Sequence, residues 1–368
     1  MVAARPTHPR CGDRVTRAIF IAVPSLHPTG PVKGAIALAN ALCERRNVTL
    51  LSLKPGPGAD AIIAPRVQVV RLYEAGGWPR HIATYRRLLR VAGGRSGAAS
   101  ISFCFSADVV NLLCRSDALI CSSVRGNLPR NYAFDYGPFG RTLARMHLAL
   151  LRGMDVIVAM TSSMATQLEA HVGRPPAVIG NFVDERALEP YREHEPRSGP
   201  YRFVFVGSLG RRKRPDLAVR AIAVLKERGL DANLEVIGSG PLTAHLQGQT
   251  VRLGIGDRVH FAGYMADPYR ILAEADCLVL PSHSEGVSRA LLEALFLGVP
   301  CVARNIDGIG EVICDGKNGF LFDDDEDLTD AMTRAAQLAR TQSSRISLLP
   351  AAYAQAPSAM QYLALVEA

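Results

Sequence analysis

Short apolar runs recur along the chain and are separated by longer amphipathic stretches. The runs are continuously apolar rather than alternating, which is typical of parallel strands buried on both faces. Strands are predicted at 18–23, 48–53, 67–73, 118–123, 155–160, 201–207, 234–238, 258–263, 276–282 and 300–303. Helical patterns lie between most of them, as in AIALANALCER, DLAVRAIAVLKERG and LTDAMTRAAQLAR. This alternation predicts α/β architecture with doubly wound sheets.

Two stretches interrupt the pattern. The segment 184–200 is polar, contains proline and lacks apolar periodicity, so it is predicted to link two domains, 1–185 and 186–350. Ligands of such sheets bind beyond the carboxyl ends of the strands, so two such domains would enclose a central cleft. The Gly/Ser-rich stretch GGRSGAAS (93–100) is predicted to be a mobile loop within the first domain.

The charge is distributed unevenly between the two halves. Residues 1–190 carry 23 Lys and Arg against 12 Asp and Glu, whereas the remainder carries 19 against 22. A basic half favours an anionic partner such as a membrane surface or a phosphorylated substrate, although solubility alone is the other explanation. Nucleic acid is not expected as a partner, because aromatic residues make up only 6% and no recognition motif is present.

The remaining composition indicates a globular cytoplasmic protein. Hydrophobic residues make up 48% and charged residues 21% of the chain. The eight cysteines are scattered without C-x-x-C pairs, so we expect buried thiols rather than disulfides or zinc ligands. No uncharged apolar run approaches the length of a membrane span, and the N-terminal residues lack the apolar core of a secretory signal.

A basic loop follows the first predicted strand of the second domain, in VGSLGRRKRPD (206–216). The strand ends at Gly207, four basic residues follow, and Pro215 begins a helix. Basic side chains at a strand end beside a helix N-terminus suit a diphosphate, and a solvated surface run is the alternative.

Two glycine loops are further candidates. VIGSGP (236–241) lacks the third glycine of a dinucleotide fingerprint, so its glycines either let a ligand approach the backbone or simply form a turn. HPTGPVKG (27–34) leads from the first strand into a helix, where Gly30 and Gly34 would form a phosphate or substrate loop or a plain turn.

The stretch SEGVSRALLEALFL (284–297) combines an apolar helix with two carboxylates. A helix that is apolar all round is normally buried, yet Glu293 lies in its middle and Glu285 precedes it. A cap at Ser284 or Ser288 would leave a helix N-terminus able to hold an anion. The buried Glu293 needs a partner, which is either Arg289 one turn earlier or the vicinal hydroxyls of a ribose.

These motifs together resemble retaining glycosyltransferase family 4, and in particular bacterial surface-polysaccharide members. The likeness is carried by the E-x7-E of EGVSRALLEALFLGVPCVA, by VGSLGRRKRPDLAVRAI, by NIDGIGEVICDGKNGFLF and by SSVRGNLP. It implies a GT-B fold of two doubly wound Rossmann-like domains, with the acceptor on 1–185 and a nucleotide sugar on 186–350. It also implies a C-terminal helix within 351–368 that packs back on the first domain.

The resemblance also implies a role for each motif residue. Glu285, Lys213 and Arg212 would act at the reacting centre, and Glu293 would hold the ribose. Gly30, Gly34 and Arg125 would form the acceptor or phosphate loop. The remaining donor-site residues would be Gly207, Ser208, Gly238, Gly240, Met265, Gly286, Val287, Ser288 and Arg289. No metal and no cofactor is expected, and a UDP-sugar donor is favoured over a GDP-sugar.

This chain departs from the family pattern at two positions. Ser208 stands where the family often has arginine, so Arg211 or Arg212 would have to replace it. Ser123 and Arg125 stand where the family often has histidine near the acceptor. No carboxylate is assured as a general base. The resemblance to a retaining family implies that the leaving diphosphate assists the deprotonation of the acceptor on the same face of the sugar.

The stretch WPRHIATYRRLLRV (78–91) places apolar residues among arginines. It suits either an anionic bilayer surface or an ordinary outer helix of the first domain. With the basic half, it favours a lipid-linked or oligosaccharide acceptor and peripheral contact with the cytoplasmic face of the inner membrane. The expected function is therefore glycosyl transfer in surface-polysaccharide assembly; the alternatives are an inactive binding or scaffold subunit and a nucleotide-sugar epimerase.

Overall fold

The computed structural model describes residues 16–56, 60–192, 198–341 and 346–368. Within these ranges the strands form two wholly parallel sheets, one of seven strands and one of six. Each sheet has the doubly wound strand order that reverses direction in its middle, so the predicted pair of Rossmann-like domains is confirmed.

The first sheet has the order β3-β2-β1-β4-β5-β6-β7. Its strands are β1 Ala18–Val23, β2 Val48–Ser52, β3 Gln68–Arg71, β4 Ala98–Phe103, β5 Leu119–Ser123, β6 Val156–Ala159 and β7 Ala177–Val178. Its helices are α1 Gly30–Leu42, α2 Trp78–Val91, α3 Gly94–Gly97, α4 Phe105–Leu113, α5 Leu128–Tyr136, α6 Gly140–Leu151, α7 Ser162–Val172 and α8 Glu185–Leu188.

The second sheet has the order β10-β9-β8-β11-β12-β13. Its strands are β8 Tyr201–Val206, β9 Ala232–Ile237, β10 Val259–Gly263, β11 Cys277–Leu280, β12 Cys301–Arg304 and β13 Gly319–Phe322. The helices are α9 Pro215–Glu227, α10 Thr243–Arg252, α11 Tyr269–Ala273, α12 Arg289–Phe296, α13 Leu328–Thr341 and α14 Gln355–Glu367.

The predicted mobile loop at 93–100 is wrong. Residues 94–97 form the short helix α3, and residue 98 begins β4, a central and fully buried strand. The serine hydroxyls of AASISF are satisfied within the protein. Ser102 donates to Asp108 Oδ1 over 2.6 Å and accepts from Asn111 Nδ2 over 3.0 Å. The small and polar residues of this stretch therefore led to a loop prediction where the structure has a buried strand.

The other boundaries differ less. Strands β7 and β13 were not predicted, and both lie at the edge of their sheet. The predicted linker 184–200 begins with helix α8, capped by Asp184, and a 3-10 turn at Glu189–Tyr191; residues 193–197 of it lie outside the described ranges.

The last helix, α14, packs on the first domain. Tyr362 and Leu363 are buried with Ile19 and Leu38 in one apolar cluster. The Tyr362 hydroxyl lies 2.7 Å from Ser123 Oγ. The chain therefore returns from the second domain to the first in α14.

Helix α2, the predicted basic amphipathic stretch, turns its apolar side inward. His81, Tyr85 and Leu89 are buried, and Arg86 and Arg90 both bind the Asp117 carboxylate, over 2.6 and 2.8 Å. In the described part of the chain no helix is both long enough and apolar enough to cross a bilayer.

Candidate active site between the two sheets

The switch point of the second sheet brings two loops together. Strands β8 and β11 pair in space although two strands separate them in sequence. Their carboxyl ends open into the loops 207–214 and 281–288, which carry the predicted basic and acidic residues. This crevice is where doubly wound sheets bind ligands.

Glu285 is buried at this crevice and lies against cations. The Lys213 ammonium donates to Oε1 of Glu285, Ser282 Oγ donates to the same oxygen over 2.7 Å, and Arg212 Nη1 lies 4.0 Å from Oε2. Burial alone would raise the pKa of Glu285, but the charges of Lys213 and Arg212 outweigh it and lower that pKa below its ordinary value. Glu285 is therefore an anion, and it is paired with the two cations, Lys213 and Arg212, that were predicted to bind a diphosphate.

The four cations of the basic loop differ in their surroundings. Arg212 and Lys213 face the crevice, and Arg212 Nη1 also donates to the Ser284 carbonyl over 3.0 Å. Arg214 adopts a left-handed backbone and binds Asp325 over 2.8 Å, so it holds the loop rather than a ligand. Arg211 is exposed. Arg211 and Arg212 were the two candidates to replace the arginine that the family often has at the position of Ser208, and of these Arg212 lies at the crevice.

Glu293 lies inside α12, and its nearest charge is Arg289, with Nη2 and Oε1 separated by 3.5 Å. Both side chains are buried, yet Oε1 of Glu293 and Nε of Arg289 have no hydrogen-bond partner. Arg289 instead donates from Nη1 to the Phe182 carbonyl over 2.7 Å. The helix ion pair exists, but it leaves a buried carboxylate oxygen free to accept a hydroxyl donor.

Lys33 of α1 approaches the same carboxylate from the first domain. Its ammonium donates to the Ala266 carbonyl over 2.7 Å and lies 5.5 Å from the ring centre of Tyr269. Burial lowers the pKa of Lys33, and the negative charge of Glu293 opposes this effect. Sequence reasoning missed Lys33, although it lies between the two glycines of HPTGPVKG.

The start of α12 is not capped by serine in the usual way. Ser288 occupies the cap position, but its hydroxyl makes no capping hydrogen bond. Ser284 donates instead to Asn131 Oδ1 over 3.0 Å and to Asp307 Oδ2 over 3.2 Å. The loop before α12 is therefore held from the first domain and from the loop after β12.

Asp307 joins the two domains at this point. Its Oδ2 accepts from the Glu285 amide over 3.1 Å, and its Oδ1 accepts from Asn127 Nδ2 over 3.1 Å, with Arg130 Nη1 at 3.5 Å. Its φ of +46° is one that Asp and Asn adopt more readily than other non-glycine residues. The turn sequence NIDG was the available signal, but nothing in it indicated the partners.

Arg125 reaches the crevice indirectly. It is enclosed by the first domain and donates to Asn181 Oδ1 over 2.5 Å and to Ser123 Oγ over 3.3 Å. Asn181 in turn donates to the Val287 carbonyl over 2.8 Å. Burial lowers the pKa of Arg125, which has no carboxylate within hydrogen-bonding reach among the described residues. Arg125 thus ties the first domain to the loop before α12.

The two predicted glycines of the first domain differ in role. A β-carbon at Gly34 would lie 2.4 Å from Arg125 Nη2, so Gly34 makes room for that guanidinium. Gly30 begins α1, and a β-carbon there would meet nothing within 4 Å.

The glycines of VIGSGP pack against the protein itself. A β-carbon at Gly238 would lie 1.8 Å from the Gly207 carbonyl oxygen, and one at Gly240 would lie 2.5 Å from that of Leu209. These glycines therefore let the basic loop approach closely. Met265 is half-buried nearby, after β10, and packs on the core; Ser208 is exposed.

Part of this chain is similar in sequence to known glycosyltransferases. Residues 189–347 match the family model described as glycosyl transferases group 1. A D-inositol 3-phosphate glycosyltransferase of Actinosynnema mirum is 34% identical over 207 residues, covering 50% of this chain and 49% of its own. A glycogen synthase of Mycobacterium tuberculosis is 29% identical over 188 residues, covering 50% and 45%. The chain thus spans about half the length of the curated relatives it matches.

Solved structures match nearly the whole chain. Anabaena HepE in complex with UDP-glucose has a TM-score of 0.74 at 18% identity and covers 95% of this chain and 98% of its own. Sucrose-phosphate synthase from Thermosynechococcus elongatus has a TM-score of 0.76 at 18% identity, covering 95% and 98%. WaaG, a glycosyltransferase of lipopolysaccharide biosynthesis, has a TM-score of 0.64 at 17% identity, covering 94% of each chain. At these identities the likeness establishes the fold, which is the predicted GT-B arrangement.

Proposed function

We propose that this chain is a retaining glycosyltransferase that moves a sugar from a nucleotide-sugar donor to a glycan acceptor. The observation that carries the proposal is the pairing of Lys213 with the buried Glu285 at the switch point of the second sheet. The match of residues 189–347 to glycosyl transferases group 1 supports the same reading.

The geometry suggests how a donor would enter. A diphosphate carries more charge than one carboxylate, so it would take over Lys213 and Arg212 from Glu285. The released Glu285 would accept hydrogen bonds from hydroxyls of the transferred sugar. The free Oε1 of Glu293 would accept a ribose hydroxyl, and the amides of 286–289 would lie beside the sugar.

The proposed chemistry assigns the protein positioning and charge stabilisation. As the glycosidic bond to the diphosphate breaks, Lys213 and Arg212 would stabilise the negative charge that develops on the leaving group. The departing phosphate oxygen would take the proton of the acceptor hydroxyl on the same face of the sugar. The new bond then forms with retention, and the proposal requires no cofactor.

The finer identity of the substrates is also part of the proposal. We favour a UDP-sugar, because HepE is described in complex with UDP and with UDP-glucose. We favour a lipid-linked acceptor and a role in bacterial surface polysaccharide, since WaaB and WaaG are described as lipopolysaccharide enzymes. The net positive charge of the first half supports work at the cytoplasmic face of an anionic inner membrane.

An inactive nucleotide-sugar-binding subunit is the second candidate. It is favoured by one observation: both carboxylates already have an internal cation, Arg289 for Glu293 and Lys213 for Glu285. A nucleotide-sugar epimerase would use the same fold, but no contact in the described residues favours it over transfer.

A thermal-shift panel of UDP, GDP, ADP and their sugars tests the donor site. A nucleotide that binds only the folded state raises the free energy of unfolding by about 2.7 kcal/mol when its concentration is a hundred times its Kd. We expect a rise in Tm with UDP in the wild type, its loss in Glu293→Gln, and its retention in the control Glu227→Gln, whose side chain is exposed on α9.

A transfer assay separates the two candidate functions. In the transferase, Glu285→Gln should keep the nucleotide shift but lose sugar transfer. The inactive subunit would show the shift without transfer by any variant. The absence of a shift with every nucleotide would reject both and leave the two carboxylates as structural ion pairs.

A further inference from the structure

Four large apolar side chains are exposed in one stretch of the first domain. Phe134, Tyr136, Phe139 and Met146 lie on α5, on α6 and on the turn between them, and Phe139 is 77% exposed. Phe139 ends the 3-10 turn that leads into α6, and Met146 lies seven residues later in the middle of that helix, so the two side chains lie on the same side. Isolated exposed apolar residues are ordinary, but such a group marks a contact surface. We call these four residues the aromatic ledge.

The charged residues of the segment 128–152, which carries the aromatic ledge, are almost all basic. Arg141 and Arg145 are exposed one turn apart on α6, beside the face that carries Met146. Between residues 128 and 152 the only acidic residue is Asp135, and it lies 3.8 Å from Arg212 Nε. Exposed arginines among aromatic residues suit a bilayer surface, where rings enter the headgroup layer and guanidinium groups bind lipid phosphates.

The ledge borders the crevice. The ring of Phe134 stacks on His283 at 5.8 Å between centres, and Arg130 Nη2 donates to the His283 carbonyl over 2.9 Å. His283 lies two residues before Glu285. A surface that holds the ledge would therefore lie next to the proposed reacting centre.

We propose that the aromatic ledge, with Arg141 and Arg145, docks this protein on an anionic lipid bilayer. The inference rests on the proposed function, because docking there brings a lipid-linked acceptor to the crevice. It assigns bilayer contact to a different surface from α2, the helix for which the sequence left bilayer contact and an ordinary outer position equally open. The inward side of α2 is used by the domain core, and two of its arginines are bound to Asp117.

Vesicle flotation tests this assignment with the full chain. The probes are vesicles of phosphatidylcholine alone and vesicles with phosphatidylglycerol. The ledge variant is Phe139→Ser with Met146→Ser and Arg141→Gln. The matched control is Val251→Ser with Arg252→Gln on α10, where Val251 is 76% exposed. A third variant, Trp78→Ser with Val91→Ser, removes the exposed apolar residues of α2.

We expect wild type to bind the anionic vesicles, the ledge variant to bind roughly tenfold more weakly, and the other two variants to bind as wild type. Loss of binding in the α2 variant alone would overturn the assignment, as would equal binding of wild type and ledge variant. Failure of the wild type to bind anionic vesicles would overturn bilayer docking by the ledge.

Two further readouts keep the outcome interpretable. Sedimentation without vesicles must show the same mass for wild type and ledge variant. A wild-type dimer that is lost in the variant would overturn bilayer docking and show that the aromatic ledge binds a second copy of this chain. The nucleotide-induced shift in Tm should persist in the ledge variant, which shows that the fold and donor site are intact. Bilayer binding and nucleotide binding are measured separately, so failure of one proposal is distinguishable from failure of the other.

Discussion

At Gly286 the loop before α12 has no space for a side chain. A β-carbon there would lie 2.2 Å from Met160 Cε and 2.8 Å from the Arg125 carbonyl oxygen, both in the first domain. The methionine can move, but the backbone carbonyl cannot move without shifting the strand end. We predict that Gly286→Ala weakens nucleotide binding by roughly tenfold, because about 1.4 kcal/mol of strain at this contact would displace the loop.

The measurement is a nucleotide titration beside a thermal unfolding curve. Gly210→Ala is the matched control, since it lies in the facing loop and a β-carbon there meets nothing within 4 Å. If Gly286→Ala binds nucleotide as tightly as Gly210→Ala, the domain contact at this residue has no part in forming the donor site.

The same residue shows the reach of sequence reasoning. The motif around 285–293 identified the carboxylates and the glycine, because their chemistry depends on short spacings along one helix. It did not identify Asn181, whose amide holds the Val287 carbonyl, or Asp307, which accepts the Glu285 amide. Those partners come from distant segments, and only the meeting of the two sheets brings them together.

At the scale of the element, helix α7 of the first domain is capped by the second. The Glu311 carboxylate accepts from the amides of Ser162 and Ser163 over 3.0 and 3.1 Å. Thr161 Oγ1 satisfies the next amide, that of Met164, over 3.2 Å. A negative charge at a helix start is favoured by the peptide dipoles as well as by these hydrogen bonds.

We predict that Glu311→Ala lowers the free energy of unfolding by about 1 kcal/mol, the usual cost of losing a helix cap. Urea denaturation measures the change. Glu169→Ala is the control, because Glu169 is exposed on the same helix but distant from its start. Glu311→Gln should cost less than Glu311→Ala, since it keeps an acceptor oxygen; equal stability of all four proteins would show that water replaces the cap at no cost.

Strand β4 shows why one element was not predicted. Its sequence AASISF follows a glycine-rich run, and local composition favoured a loop. The strand is buried because it lies at the switch point of the first sheet, between β1 and β5. Its serine hydroxyls are satisfied by Asp108, Asn111 and Tyr85, which lie on other elements. Position in the sheet therefore outweighed local propensity, as is common for strands.

At the scale of the whole molecule, the two domains meet through both apolar and polar contacts. One apolar cluster runs from Met160 and Val183 into Val287 and Leu291. Around it, the Asp307 carboxylate accepts from Asn127 and Arg130 of the first domain and from Ser284 and Glu285 of its own domain. A closed arrangement of this kind aligns the loop before α12 with the basic loop, so we expect donor binding to depend on it.

Asp307→Asn tests that dependence without disturbing the backbone, because asparagine also tolerates a φ of +46°. The amide of the variant has one acceptor oxygen, so its NH2 group would face the N–H and O–H donors on the other side. Each hydrogen bond to the charged carboxylate that is lost removes about 1.5 kcal/mol or more of stabilisation from the closed arrangement. We predict a larger radius of gyration by small-angle X-ray scattering and roughly tenfold weaker nucleotide binding, since a smaller closed population lowers the apparent affinity in proportion. Saturating nucleotide should restore the wild-type radius, and the exposed Asp257→Asn should change neither quantity.

An unchanged radius with weakened binding would mean that Asp307 acts only on the Glu285 amide, whereas no change in either would assign domain closure to the apolar cluster alone.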